Sequence, residues 1–188
     1  MKRSFLAVLL LVLAPAGTLL AQEQEHAEEG EQEHMEHAPL ISTVAPLHEM
    51  VKGYLIASAE QMPEELYGFK PNEEVRSFGQ IIGHVASALY MFCGTATGDG
   101  GQAPENFENR TTKAGFVEAI KMGFAACDAA YEMDNETAME EVDFFGNTGT
   151  RLWVLSFNNA HNWEHYGNLV VYFRANGMVP PSSAMGGM

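Results

Sequence analysis

The chain has 188 residues, a formal charge of −15 and 46% hydrophobic residues, which suits one globular domain with appendages. So acidic a balance argues against nucleic acid or anionic lipid as a partner, because both reward basic patches. Two cysteines, with no CxxC pair, exclude a cysteine-built zinc or redox motif.

Residues 1–21 read as a signal peptide. Lys2 and Arg3 precede an apolar run from Phe5 to Ala14, Pro15 and Gly17 break it, and Leu19-Leu20-Ala21 offers a cleavage site before Gln22. The run is too short for an ordinary membrane span, and no later segment is long and apolar enough to be one. The mature protein is therefore expected in the periplasm or secreted, without stable membrane insertion. Residues 22–38 carry seven Glu with His26, His34 and His37 and have almost nothing to bury, so a disordered acidic leader is expected.

Folded structure is expected over 39–181, followed by a flexible tail, 182–188. A first helix, capped by Ser42 or Thr43 with Pro46 in its first turn, runs to about Gln61. Leu47, Val51, Tyr54, Leu55 and Ala59 recur on it at helical spacing. The connector MPEELYGFKP leads to a second helix from about Glu73 to Phe92. Residues 94–110 form a loop long enough to run back along a bundle, which permits helices two and three to be parallel. The third helix spans about Thr112 to Tyr131, and the connector 134–150 shows no strand series. The last helix runs from about Thr150 to Asn176, with Gly177 and Pro180-Pro181 ending it. The expected fold is all-α, a four-helix bundle with a long crossover between helices two and three. Parallel packing of those two helices would bring Cys93 and Cys127 together as a disulfide; two separate buried thiols are the alternative.

Chemistry concentrates in NNAHNWEHYGNLVVYFRANG. His161 and His165 are four residues apart, so their imidazoles lie on one helix face and can converge on one ion. Trp153, Phe157, Asn168 and Tyr172 share roughly that side, so both histidines are expected to face the interior. HNWEH is not HExxH, which removes the local warrant for a zincin-type protease. His84, in SFGQIIGHVASALY, is the third candidate ligand, at similar depth on helix two. Two satisfied core histidines and one partly exposed one are the bland alternative. His48 fits a surface residue, or a proton carrier beside the site. Glu164 could orient a liganding ring, and Tyr166 and Asn168 could supply polar contacts. Three neutral histidines leave a coordination position open, which suits Zn(II) or Ni(II) first and also Fe(II) or Mn(II).

The segments MPEELYGFKP, RSFGQIIGHVA and HNWEHYGNLVVYFRANGMVPP, in this order and spacing, resemble the DinB-like family, also called the DinB/YfiT superfamily. The resemblance covers about Leu40 to Pro181. It implies an up-down-down-up bundle, one divalent metal on His84, His161 and His165, and a tendency to dimerise. Related branches of that family are thiol-dependent transferases or isomerases; the fold and metal site carry over and the reaction class does not, so a metal-dependent transferase acting on a small molecule is one expectation for this chain. A hydrolase is a further possibility, and a non-catalytic metal-binding or stress-response module is the alternative. The export signal and acidic leader depart from the family pattern and argue against a cytosolic thiol cosubstrate.

Overall fold

The computed structural model describes residues 39–184; the signal segment 1–21, the leader 22–38 and tail residues 185–188 lie outside the described residues. Helix α1 spans Pro39–Gln61 and starts earlier than its expected Ser/Thr cap. The hydroxyls of Ser42 and Thr43 donate back to the Pro39 carbonyl, 3.1 and 2.7 Å away, so they lie inside the first turn instead of capping it. The Leu40 amide is satisfied by Asn135 Oδ1 at 3.1 Å. Ile41, His48, Val51, Leu55, Ser58 and Ala59 form the buried stripe.

Helix α2 spans Phe78–Thr97, starting later than the expected Glu73. The connector sets this boundary: the Phe78 and Gly79 amides donate to the carbonyls of Phe69 and Tyr67. Ser77 and Gln80 then close a capping box. Helix α3 spans Lys113–Cys127 behind a Thr112 cap; the segment Asp128–Glu132 tightens into a 3-10 turn, so the α-helix stops short of Tyr131. A single turn, α4 (Asn135–Ala138), precedes two short strands, β1 (Glu141–Phe144) and β2 (Asn147–Thr150). This antiparallel hairpin corrects the expected strand-free connector. Phe144 pairs with Asn147 across a two-residue turn in which Phe145 (φ 53°) and Gly146 (φ 74°) both have positive φ. That is the primed geometry that suits tight hairpins. Helix α5 spans Arg151–Ala175, with Thr150 accepting from the Trp153 amide. One last turn, α6 (Pro181–Ala184), is tied back by the Ser182 amide donating to the Tyr166 hydroxyl at 2.8 Å.

Pairings at the helix ends give the directions. Helices α2 and α3 are parallel, since Phe116 lies over Gly79 at one end and Cys93 is bonded to Cys127 at the other. Helices α1 and α3 are antiparallel: Lys113 donates to the Glu60 carbonyl, and Lys52 to Asp128. Helices α2 and α5 are also antiparallel, with Tyr172 on the Arg76 carbonyl and Arg151 on the Ala96 carbonyl. Helices α1 and α5 run the same way, joined by Asn159 to Val44 and by Gln61 to Val179. The arrangement is up-down-down-up, a helical bundle around one core that includes Leu55, Ile82, Leu89, Ile120, Phe124, Leu155, Leu169 and Phe173. No described helix is long and apolar enough to cross a membrane.

Candidate metal centre

His84 stands two turns into α2, and His161 and His165 lie one turn apart on α5. Because these helices are antiparallel neighbours, the three rings meet in the groove between them. His161 Nε2 lies 3.2 Å from His84 Nε2 and 3.1 Å from His165 Nε2. One ring nitrogen from each residue falls within 4.8 Å of the other two. Two nitrogens bound tetrahedrally to one ion at ordinary bond lengths sit about 3.3 Å apart, so the spacing fits a shared ion. All three residues are partly buried, at the margin of the bundle, not deep within it as the sequence suggested. The face of α5 that turns fully inward carries Val154, Leu155, Asn158, Asn162, Leu169 and Phe173.

Protonation also favours a cation. Burial lowers the affinity of all three rings for a proton, taking His161 down to about 4 and His165 to about 3, and His84 also falls below its usual value. The rings are neutral at pH 7. Glu108 Oε1 lies 3.1 Å from His84 Nδ1. A carboxylate only accepts, so Nδ1 carries the His84 proton and Nε2 presents a lone pair to the groove. Two close Nε2 contacts then converge on His161, whose single ring proton can direct a good hydrogen bond along only one of them. His165 Nδ1 is buried without a hydrogen-bond partner. Three imidazole lone pairs around one point suit a divalent ion better than they suit one another.

Glu108 escaped the sequence reading, which assigned ring orientation to Glu164. Glu164 is exposed and lines the cleft beside His165. Glu108 reaches the site from a 3-10 turn, Phe107–Asn109, in the long loop after α2. Asn106 Oδ1 accepts from the Glu108 amide at 3.0 Å, and Arg76 Nε donates to Glu108 Oε2 at 3.1 Å. The loop comes so close that a Cβ on Gly83 would lie 2.4 Å from the Phe107 carbonyl oxygen. The one sequence signal was the Asn-Phe-Glu step, in which Asn106 builds a local turn.

His48 is fully buried, contrary to the surface position expected for it. Its ring stacks on Tyr131 at 3.9 Å and meets Phe124 edge-on, in the α1–α3 interface and away from the three converging rings. It forms a second group with Glu49 and Asp128. There Lys52 Nζ already lies 2.7 Å from Asp128 Oδ1, so that carboxylate has a cationic partner. Tyr166 also turns away from the site, stacking on Tyr54. Asn168 remains beside it, in an open cleft of about 410 Å³ that His165, Arg76, Glu164 and Tyr172 also line.

Residues 48–169 match the model of the DinB superfamily. The chain belongs to the DinB superfamily. A DinB-like protein from Bacillus cereus ATCC 10987 superposes with a TM-score of 0.62 at 15% identity, over 70% of this chain and 89% of that one. A DinB-like protein from Bacillus subtilis does so with a TM-score of 0.54 at 20% identity, over 75% and 93%. At these identities the likeness shows the shared fold. No curated protein matches the chain.

Proposed function

We propose that this DinB-superfamily chain is an exported protein that holds one divalent metal on His84, His161 and His165 and acts on a small molecule as a metal-dependent transferase or hydrolase. The observation that carries the proposal is the convergence of three neutral Nε2 atoms, with neighbouring pairs 3.1 and 3.2 Å apart. Zn(II) and Ni(II) are the first ions to test, and Fe(II) and Mn(II) are compatible with the same donors.

A divalent ion at these nitrogens would supply Lewis acidity and acidify a bound water or thiol. The chain's own residues supply the rest. Glu108 fixes the His84 tautomer and ring plane, and Arg76 holds Glu108 in place. The cleft beside His165 has room for a small molecule, with Arg76, Glu164 and Asn168 available to orient it. Among the described residues, the three histidines form a group without an added carboxylate or cysteine, which favours a substrate-binding role over a closed structural site. The Cys93–Cys127 disulfide and the signal-like residues 1–21 support export to an oxidising compartment. Dimerisation, implied by the family resemblance, is part of the same proposal.

The test is elemental analysis and calorimetric metal titration of wild type, His161→Ala and His165→Ala. Wild type should bind one equivalent, and each variant should bind far more weakly. Wild-type affinity in both variants would remove the site. The loaded protein would then be screened against thiols, epoxides and simple esters, beside a variant with all three histidines changed to alanine. Equal rates in the two proteins would end the catalytic proposal.

A further inference from the structure

The hairpin tip presents an unexplained aromatic residue. Phe145 occupies the first central position of the β1–β2 turn with φ 53° and is 63% exposed. Asn, Asp and Gly are the ordinary occupants of that position, because a residue with a larger side chain rarely adopts this backbone. Neither turn geometry nor burial therefore accounts for phenylalanine here. Strained positions of this kind cluster at functional sites.

Its neighbours connect it to the metal centre. The Phe145 ring lies 6.2 Å from Phe157 and 6.3 Å from Phe92. Phe92 meets the His161 ring edge-on at 5.1 Å. Phe157 precedes His161 by one turn of α5 and is 38% exposed, as is Trp153 one turn earlier. Phe144 is buried beneath these rings and supports them, packing against Phe92, Trp153 and Phe157. The groove between α2 and α5 thus has two unlike halves. On the His165 side lie Arg76, Glu164 and Asn168; on the His161 side lies an aromatic shelf.

We infer that Phe145 and Phe157 form the specificity surface of the centre, holding an aromatic or branched apolar group of a small molecule whose polar, metal-binding head reaches the three histidines. This rests on the metal-site proposal and goes beyond it by assigning the class of substrate. The occupant is a small molecule because the exposed rings are continuous with His161 along one helix face. Neutral apolar contact is also what these side chains offer, since aromatic rings supply most of the binding area without charge.

Two probes with the same chelating head, benzohydroxamate and acetohydroxamate, test the assignment on zinc- or nickel-loaded protein. Calorimetry should give benzohydroxamate at least about tenfold tighter binding in wild type. Phe145→Asn, which suits the turn, should keep metal stoichiometry, acetohydroxamate affinity and thermal stability while losing most of that preference. Phe157→Ala should lose it as well. Bound metal with no preference in wild type, or a preference unchanged in both variants, overturns the inference alone. A dimer that Phe145→Asn converts to monomer, seen by sedimentation, assigns the shelf to a second copy and also overturns it. Wild type that binds no metal overturns the metal site, and this inference with it.

Discussion

Glu108 Oε1 accepts a hydrogen bond from His84 Nδ1 at 3.1 Å, across 24 positions of sequence and from a loop instead of a helix. The contact determines which ring nitrogen is free to bind a metal. Glu108→Ala should therefore lower metal affinity by about 10–100-fold with the three imidazoles intact. Glu108→Gln should lower it less, because an amide oxygen still accepts. Gly83→Ala should act like Glu108→Ala, since its new Cβ would collide with the Phe107 carbonyl and push the loop off α2. Competition with a chelator of known affinity measures all three. Affinity unchanged in Glu108→Ala would show that the carboxylate does not orient the ring.

The Cys93–Cys127 bond joins the parallel helices α2 and α3 near their ends, with 34 residues of sequence separation. Closing a loop of that length removes unfolded-state entropy corresponding to about 3–4 kcal/mol. Urea unfolding with reductant present, or of Cys93→Ser combined with Cys127→Ser, should show a loss of that order. Asn158 Nδ2, which donates to Cys127 Sγ at 3.7 Å, faces a serine hydroxyl that can still accept in the variant, so the loss reports the cross-link and not this contact. An unfolding midpoint that does not move on reduction would assign the stability of this pair to packing alone.

His48 is held neutral inside the protein. Burial lowers its pKa to about 4, against the opposing pull of Glu49 and Asp128. Between pH 6.5 and about 4 the unfolded chain binds this proton and the folded chain does not. Stability is therefore full above pH 6.5 and falls as the pH drops through that window. His161 and His165 add to the same trend when no metal is bound. Melting curves of chelator-treated protein from pH 8 to 4 should show the decline, and it should be shallower in His48→Phe. That substitution keeps the ring contacts to Tyr131 and Phe124 and removes two ring nitrogens that lack hydrogen bonds. Equal slopes in wild type and variant would mean that His48 is not a source of the acid sensitivity.

What could be read from the sequence follows the range of each interaction. The α5 pair His161 and His165 was visible because one helix turn fixes their relation. The start of that helix near Thr150 and its stop at Gly177 were visible for the same local reason. His84 was placed by helix depth and by the family resemblance, which also supplied the up-down-down-up order. Phe145-Gly146 hid the hairpin, because phenylalanine stands where turn chemistry leads one to look for Asn or Asp, and each strand has only four residues. Glu108 was hidden because loop position carries no periodicity. The burial of His48 depends on Phe124 and Tyr131, more than 70 positions away, and no local pattern encodes that contact.

A buried polar ladder behind the histidines gives a further prediction. Asn162 Nδ2 donates to Asn158 Oδ1 at 3.3 Å, and Asn158 Nδ2 donates to the Tyr131 hydroxyl at 2.9 Å. Both asparagines are fully buried on the inward face of α5. Tyr131 lies within 3.0 Å of the Leu155 carbonyl and also of Asn159 Oδ1, but its single proton serves one at a time. Asn158→Leu buries more apolar surface, yet it strands the Asn162 amide and leaves the Tyr131 oxygen without its donor. A buried polar group left unpaired costs about 1–3 kcal/mol, so the variant should be destabilised by that order. Asn162→Leu added to Asn158→Leu should then cost less than it does alone, because the amide it removes is already unpaired. A double-mutant cycle on urea unfolding measures this coupling, and additive losses would show that the two side chains act independently.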